Sequence, residues 1–295
     1  MKVLAGLYLI FLASGNIGHA MPSPIATCRY SQEAIDIPGP IPFNKLALTF
    51  DDGPNPDTTP RVLDVLRKYN IKATFFLIGE NMVGNESLVK RILRDGHAIG
   101  NHTFTHPHLG ELNAGQIRRE ILKTERLLKH FHLTGARLTR FPYGESSCTA
   151  EKIAESRHYN IVGWHADSCD WSFQDGLPDG QCIGDENLRD RFRNDYEGWL
   201  DFQLAGPRGG VVLMHDSQPF TADHVEGLIQ HWISEGYSFI ELQGGEFPEL
   251  LQDETPWSRD RKATNMATKQ QIESKTTTLF PVAHPWVQSS TKNVR

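Results

Sequence analysis

Asp51 and Asp52 close the apolar run Leu46–Phe50 and stand directly before Gly53-Pro54. Two carboxylates therefore fall where a buried strand opens into a turn. Like charges this close resist joint ionisation unless a cation compensates them. An isolated Asp-Asp pair at a strand end is more often a turn or a helix cap. Here the segment Asn101-His102-Thr103-Phe104-Thr105-His106 overturns that reading. The H-x-x-x-H spacing of His102 and His106 puts two imidazoles on one face of a helical turn. Two His and one Asp make the three-ligand set of a catalytic zinc site, with one position open. The His pair alone is weak evidence, since many such pairs are surface histidines; with the Asp pair it becomes strong.

Five segments in order extend the pattern: T-F-D-D-G-P-N at 49–55, N-H-T-F-T-H at 101–106, R-F-P-Y-G at 140–144, D-S-C-D-W at 167–171 and L-M-H-D at 213–216. Together they resemble the motifs of the polysaccharide deacetylases, carbohydrate esterase family four with its NodB-homology domain. One such motif would be a hint; five in order are specific. The resemblance implies that Asp52, His102 and His106 hold a divalent cation, with zinc expected and cobalt or another divalent ion able to substitute. It implies Asp51 as general base, oriented by Arg140, and His215 as general acid, its partner carboxylate Asp170. The Tyr143 backbone N–H would bind the oxyanion, and Trp171 and Leu213 would wall the pocket for the acetyl methyl. Read without the family, Arg140 is an ordinary strand-end arginine, Trp171 is core packing and His215 is as easily a core histidine. Thr103 is expected to steady the metal loop by hydrogen bonding. His97 and His165 read as structural, and His108 as too close to His106 to share its site.

The remaining chain bounds the setting. Met1-Lys2, an apolar core to Ala13, and small residues at Gly18 and Ala20 read as a signal peptide over 1–20, which places the protein in the periplasm or outside the cell. The apolar core is short for a bilayer span, so the mature chain is expected not to be an integral membrane protein. An N-terminal segment (21–43), a deacetylase domain (44–246) and a low-complexity, disordered tail (247–295) follow. A net charge of −6 with mixed signs gives no support for nucleic-acid binding, and a monomer is expected. Four cysteines in an exported chain suggest disulfides, with Cys169–Cys182 the preferred pair and Cys28–Cys148 the remainder. No C-x-x-C spacing supports a cysteine zinc site.

Strand-like runs at 45–50, 73–78, 97–101, 136–141, 160–165, 210–215 and 237–242 alternate with helical patterns, one opened by Pro60 and one over 114–130. This alternation argues a parallel α/β sheet, open or closed. The resemblance implies a distorted (β/α) barrel with a groove at its mouth. The expected function is N-deacetylation of GlcNAc-containing polymers, peptidoglycan or chitin-type, to acetate and free amine. An O-acetyl xylan esterase is the alternative within the same chemistry. A non-catalytic carbohydrate-binding protein would have lost Asp51, a metal ligand or His215, and none is missing. The 167–185 loop with its two cysteines is expected to shape one end of the groove.

Overall fold

The structure, a computed structural model, describes residues 43–133, 137–173 and 182–242. Residues 1–20, expected to be a signal peptide, residues 21–42 with Cys28, and the expected tail over 247–295 lie outside the described residues.

In chain order the elements are β1 (Lys45–Asp51), α1 (Thr59–Lys68), β2 (Thr74–Leu77), α2 (Gly79–Met82), α3 (Glu86–Arg94), β3 (Ala98–Asn101), α4 (Ala114–Lys129) and β4 (Arg137–Thr139). They continue with α5 (Cys148–Ser156), β5 (Tyr159–Ile161), β6 (Ala166–Asp167), α6 (Glu186–Phe192), α7 (Tyr196–Leu204), β7 (Gly210–His215), α8 (Pro219–Ser234) and β8 (Ser238–Phe239). The strands pair in parallel in the order β5-β4-β3-β2-β1-β7-β6, and β8 pairs with the start of β1. Among the described residues the edge strands β5 and β6 do not pair, so the sheet is an open half-barrel, the distorted (β/α) barrel expected from the motifs. The strand expected over 160–165 is replaced by two short ones, β5 and β6.

Local chemistry explains the elements. β1 reads KLALTFD and is buried from Leu46 onward, as a central parallel strand covered on both faces must be. Pro60 and Pro219 stand in the first turns of α1 and α8, where a missing N–H costs nothing. Asn113 and Gln116 form a reciprocal capping box at the start of α4. Alternation along β1 divides the core. Leu46, Leu48 and Phe50 pack outward beneath α1, α3 and α8, among Leu63, Val89 and Trp232. Ala47 packs inward with Phe76, Leu138, Val162 and Val211. Thr49 and Asp51 share that inward face with Ala47, by the two-residue period of a strand.

Parallel register brings the strand ends to one rim. Asp51 lies opposite His215 across β1 and β7 and opposite Phe76 across β2. Leu77 lies opposite Asn101, and Asn101 opposite Thr139. The motif residues at or just past those positions are thereby gathered at the carboxyl ends of the strands, where such folds bind ligands.

Candidate active site

Asp51 and Asp52 sit side by side but face different partners. Asp51 is 3% exposed, and its Oδ1 accepts from Arg140 Nη1 at 2.8 Å. Arg140 is itself fully buried; its other donors reach Thr49 Oγ1 (2.8 Å), Val162 O (3.1 Å) and Gly163 O (2.8 Å). Its guanidinium lies 4.3 Å from the Phe76 ring centroid. Every edge of the fork is used, so Arg140 can hold Asp51 in one orientation. Asp51 Oδ2, 3.6 Å from His102 Nε2, is the oxygen left facing the cluster.

Asp52 Oδ1 lies 3.3 Å from His102 Nε2 and 3.3 Å from His106 Nε2, yet this buried oxygen has no hydrogen-bond partner in the protein. Ligand atoms bound about 2.0–2.1 Å from a tetrahedral ion stand about 3.3–3.4 Å apart. Asp52 Oδ1 therefore has that spacing to both imidazoles, and the three ligand atoms all lie within 4.8 Å of one another. His102 Nδ1 lies 2.7 Å from the Arg140 carbonyl, which fixes the tautomer and leaves Nε2 free to coordinate. Burial alone would lower His102, but Asp51 and Asp52 raise it above the ordinary imidazole range. Burial and then His102 push His106 down to about 4. Burial opposes ionisation of Asp52, but the contact with His102 outweighs it and holds the carboxyl low. One carboxylate oxygen and two imidazole nitrogens converging beside the second carboxylate of Asp51 suit a divalent ion.

The two histidines do not converge as the spacing suggested. Residues 102–108 are not helical; the loop turns through left-handed backbone at Thr103 (φ 65°) and His106 (φ 56°). Three intervening residues of irregular chain do what a helical turn was expected to do. The Thr103 hydroxyl, expected to steady the loop, is buried without a protein partner. Its main chain does the steadying: Thr103 N–H donates to Asn101 Oδ1 at 2.9 Å, and Gly79 N–H and the Thr124 hydroxyl donate to Thr103 O at 2.9 and 2.7 Å. Asn101 is fully buried, its Nδ2 donating to Ile121 O (3.0 Å) and Tyr159 Oη (3.2 Å), so the formal N-x-T sequon cannot present it to a glycan.

Across the rim, His215 Nδ1 lies 2.6 Å from Asp170 Oδ1. Asp170 is fully buried and saturated: Oδ1 also accepts from Trp171 N–H (2.9 Å), and Oδ2 accepts from His215 N–H (2.7 Å) and from the Thr221 hydroxyl. Burial alone would lower the His215 imidazole, but Asp170, with help from Asp52 and Asp51, lifts it to about 10. The contact engages Nδ1, so Nε2 is the ring nitrogen not used by Asp170. Asp170 opens a short turn that follows Cys169, whose backbone is left-handed (φ 57°) and whose side chain is bonded to Cys182, with Cα atoms 5.7 Å apart. The expected Cys169–Cys182 pair is present. The proximity of Asp167 to these two sulfurs is therefore not a thiolate metal set.

Tyr143 lies in the turn Pro142–Gly144 with φ 59° and a half-exposed ring. The turn closes through Gly144 N–H to Phe141 O and Glu145 N–H to Pro142 O, bonds that leave the Tyr143 N–H uninvolved. Gly144 has φ +66°, and a Cβ there would meet the Trp164 ring at 2.6 Å. His108 stacks on the Tyr143 ring (4.0 Å, 8° between planes) rather than joining the Asp52 cluster. Leu213 is buried on the β7 face it shares with His215, and Trp171 is half-exposed one residue beyond Asp170. His97 Nδ1 and His165 Nδ1 accept main-chain N–H groups of Ala73 (3.2 Å) and Val211 (2.9 Å), structural roles away from the cluster.

The motifs assign no role to several supporting residues. Thr49 braces Arg140, Thr221 braces Asp170, and Asn81 Nδ2 donates to Asp52 O at 2.8 Å. Asp216, fully buried, accepts from Thr59 through Oδ2 and takes the Thr58 hydroxyl on its carbonyl, tying the turn after Asp52 to the end of β7. Thr49, Asn101 and Asp216 stood within quoted motifs; the others are ordinary residues whose partners are distant in sequence.

An open parallel half-barrel carrying a buried Asp51–Arg140 pair, an Asp-His-His cluster and a His–Asp couple on one rim defines a hydrolase of the deacetylase type. Residues 39–162 match the family described as polysaccharide deacetylase. A peptidoglycan-N-acetylglucosamine deacetylase of Bacillus cereus is 46% identical over 223 residues, which cover 75% of this chain and 72% of that protein. A chitooligosaccharide deacetylase of Rhizobium leguminosarum bv. phaseoli is 34% identical over 201 residues, covering 68% and 78%. Among solved structures, a peptidoglycan N-acetylglucosamine deacetylase in complex with 4-naphthalen-1-yl-N-oxidanyl-benzamide superposes with a TM-score of 0.58 at 31% identity, covering 75% of this chain and 93% of that one. The chain belongs to the polysaccharide deacetylase family and is a hydrolase of that kind.

Proposed function

We propose that this protein is an exported, metal-dependent N-deacetylase that removes acetyl groups from GlcNAc units of a cell-wall polymer, peptidoglycan first and chitin-type chains second. The observation that carries the reading is the unpartnered Asp52 Oδ1 set 3.3 Å from both His102 Nε2 and His106 Nε2. Residues 1–20 have the charged start, apolar core and small-residue end of an export signal. No helix among the described residues is long and apolar enough to cross a membrane. The polymer is suggested by the activities of the relatives.

A zinc or similar ion held by Asp52, His102 and His106 would polarise the acetyl carbonyl and make water a nucleophile near neutral pH. Asp51 Oδ2, free because Arg140 occupies Oδ1, takes the proton of the attacking water. The Tyr143 N–H stabilises the oxygen of the tetrahedral centre; losing such a donor typically costs about 3–4 kcal/mol of barrier. His215, kept protonated by Asp170, gives its Nε2 proton to the departing amine. An amide needs that last step because an unprotonated amine leaves poorly. Buried Leu213 and half-exposed Trp171 would wall the acetyl methyl.

The test is acetate release by the mature protein from peptidoglycan, chitooligosaccharides, poly-N-acetylglucosamine and acetylated xylan, each with zinc and with chelator. Release from the GlcNAc polymers that chelator abolishes and Asp51→Asn removes is the expected result. Release from xylan alone would make the protein an O-acetyl esterase. No release from any of them by folded, zinc-loaded protein would overturn the catalytic reading.

A further inference from the structure

We infer that Glu120 of α4 is a positioning residue for the cation site, acting through the loop backbone between His102 and His106. The inference rests on the reading of Asp52, His102 and His106 as ligands. The loop must bring two imidazoles to one point within five residues, and it does so with left-handed backbone at Thr103 and His106. A β-branched residue in that region is strained, so the segment would not hold this shape unaided.

The loop is gripped from two sides. From α2, Gly79 N–H donates to Thr103 O (2.9 Å) and Glu80 N–H to Phe104 O (3.0 Å), main-chain bonds that a side-chain change leaves in place. From α4, the Thr124 hydroxyl donates to Thr103 O. One oxygen of Glu120, Oε2, accepts both the Phe104 N–H (3.0 Å) and the Thr105 N–H (2.8 Å). Lys123, also on α4, lies 3.3 Å from the Phe104 ring centroid and closes the same side. Glu120 thus fixes two consecutive amides, the second belonging to the residue just before the ligand His106. Bonds from backbone N–H to a carboxylate are charge-assisted and directional. If the amides turn, the path into His106 changes and its Nε2 leaves the position facing Asp52 Oδ1. Metal sites tolerate displacements of only about 0.5 Å, and removing an outer partner typically weakens metal binding about 10–100-fold. Glu120 is half-buried and outside every motif, fourteen residues past His106.

The experiment uses cobalt, titrated into the mature chain against a competing chelator and followed by its visible bands. Parent, Glu120→Ala, Glu120→Gln and Glu120→Asp are compared, with thermal melts of each in EDTA. Glu120→Ala is expected to weaken cobalt binding about 10-fold or more and to alter the bands, with little change in the EDTA melt. Glu120→Gln, whose amide oxygen can accept both N–H groups, is expected to stay near the parent. Should Glu120→Ala fail to fold, Glu120→Asp, too short to reach both amides, is expected to show the same loss. Equal affinity and identical bands in parent and the folded Ala or Asp variant would overturn the role of Glu120 while leaving the ligand set intact. A parent chain that binds no cobalt would overturn the ligand set itself, and the inference with it.

Discussion

Replacing Asp170 by Asn should move the alkaline limit of activity, and the hydrogen bonds around Asp170 say why. The carboxylate accepts from two donors on each oxygen: His215 Nδ1 and Trp171 N–H on Oδ1, His215 N–H and Thr221 Oγ1 on Oδ2. An Asn amide must turn its NH2 toward one of these pairs, so a main-chain N–H is orphaned whichever way it faces. That costs about 1–3 kcal/mol. The larger effect is on His215. A rise from the ordinary 6.5 to about 10 is a preference for the imidazolium on the order of 5 kcal/mol, at 1.36 kcal/mol per pH unit. A bound cation offsets the part due to Asp51 and Asp52, so the parent limb falls below 10 in the loaded enzyme, and Asp170 supplies what remains. With Asp170 neutral, burial is unopposed and His215 titrates at or below about 6.5. At pH 8 its protonated fraction, and with it the rate, should fall at least about 30-fold. The assay is kcat/KM for acetate release between pH 5 and 10. Because the folded pKa is raised, the stabilisation is complete below about 6.5 and is lost as pH climbs toward 10. Asp170→Asn should therefore also flatten the decline of thermal stability over that window. An alkaline limb unchanged in Asp170→Asn would refute His215 as an acid tuned by Asp170.

Two further substitutions probe the other half of the site. Arg140→Met leaves Asp51 buried without its cation and should cost about 3–5 kcal/mol, or about 6–20 °C in Tm for a domain of this size; a melt within 3 °C of the parent would show the pair to be incidental. Gly53→Ala would place a Cβ 2.3 Å from Asp216 Oδ2 and 2.5 Å from Oδ1. Because Asp216 is fully buried, the turn must move instead, at about 1–3 kcal/mol, and activity should drop more than tenfold as Asp51 and Asp52 shift. Urea melts and acetate release would show this, and unchanged values for both would mean that the turn is not seated on Asp216.

What the sequence determined by itself lies in short range. The apolar run of β1 and the acid pair at its end, and the run Val211–Met214 before His215, mark strand ends because burial and turn chemistry are local. The preference for Cys169–Cys182 likewise needed only a short Gly/Pro/Asp-rich loop, and the bond is present. Only the tertiary structure decided how those ends meet. The two imidazoles converge through a strained loop rather than a helical face, since α2 and α4 supply the partners for its backbone and override the local spacing. The Thr103 hydroxyl was legible as a loop-steadying group but is buried without a protein partner, while the Thr124 hydroxyl and the Gly79 amide hold the Thr103 carbonyl. Thr49, Thr221, Asp216 and Glu120 act on residues 15 to 158 positions away. Hydrogen bonds of that span leave no periodicity or spacing in the chain; they exist only once parallel register and helix packing have brought the elements to one rim.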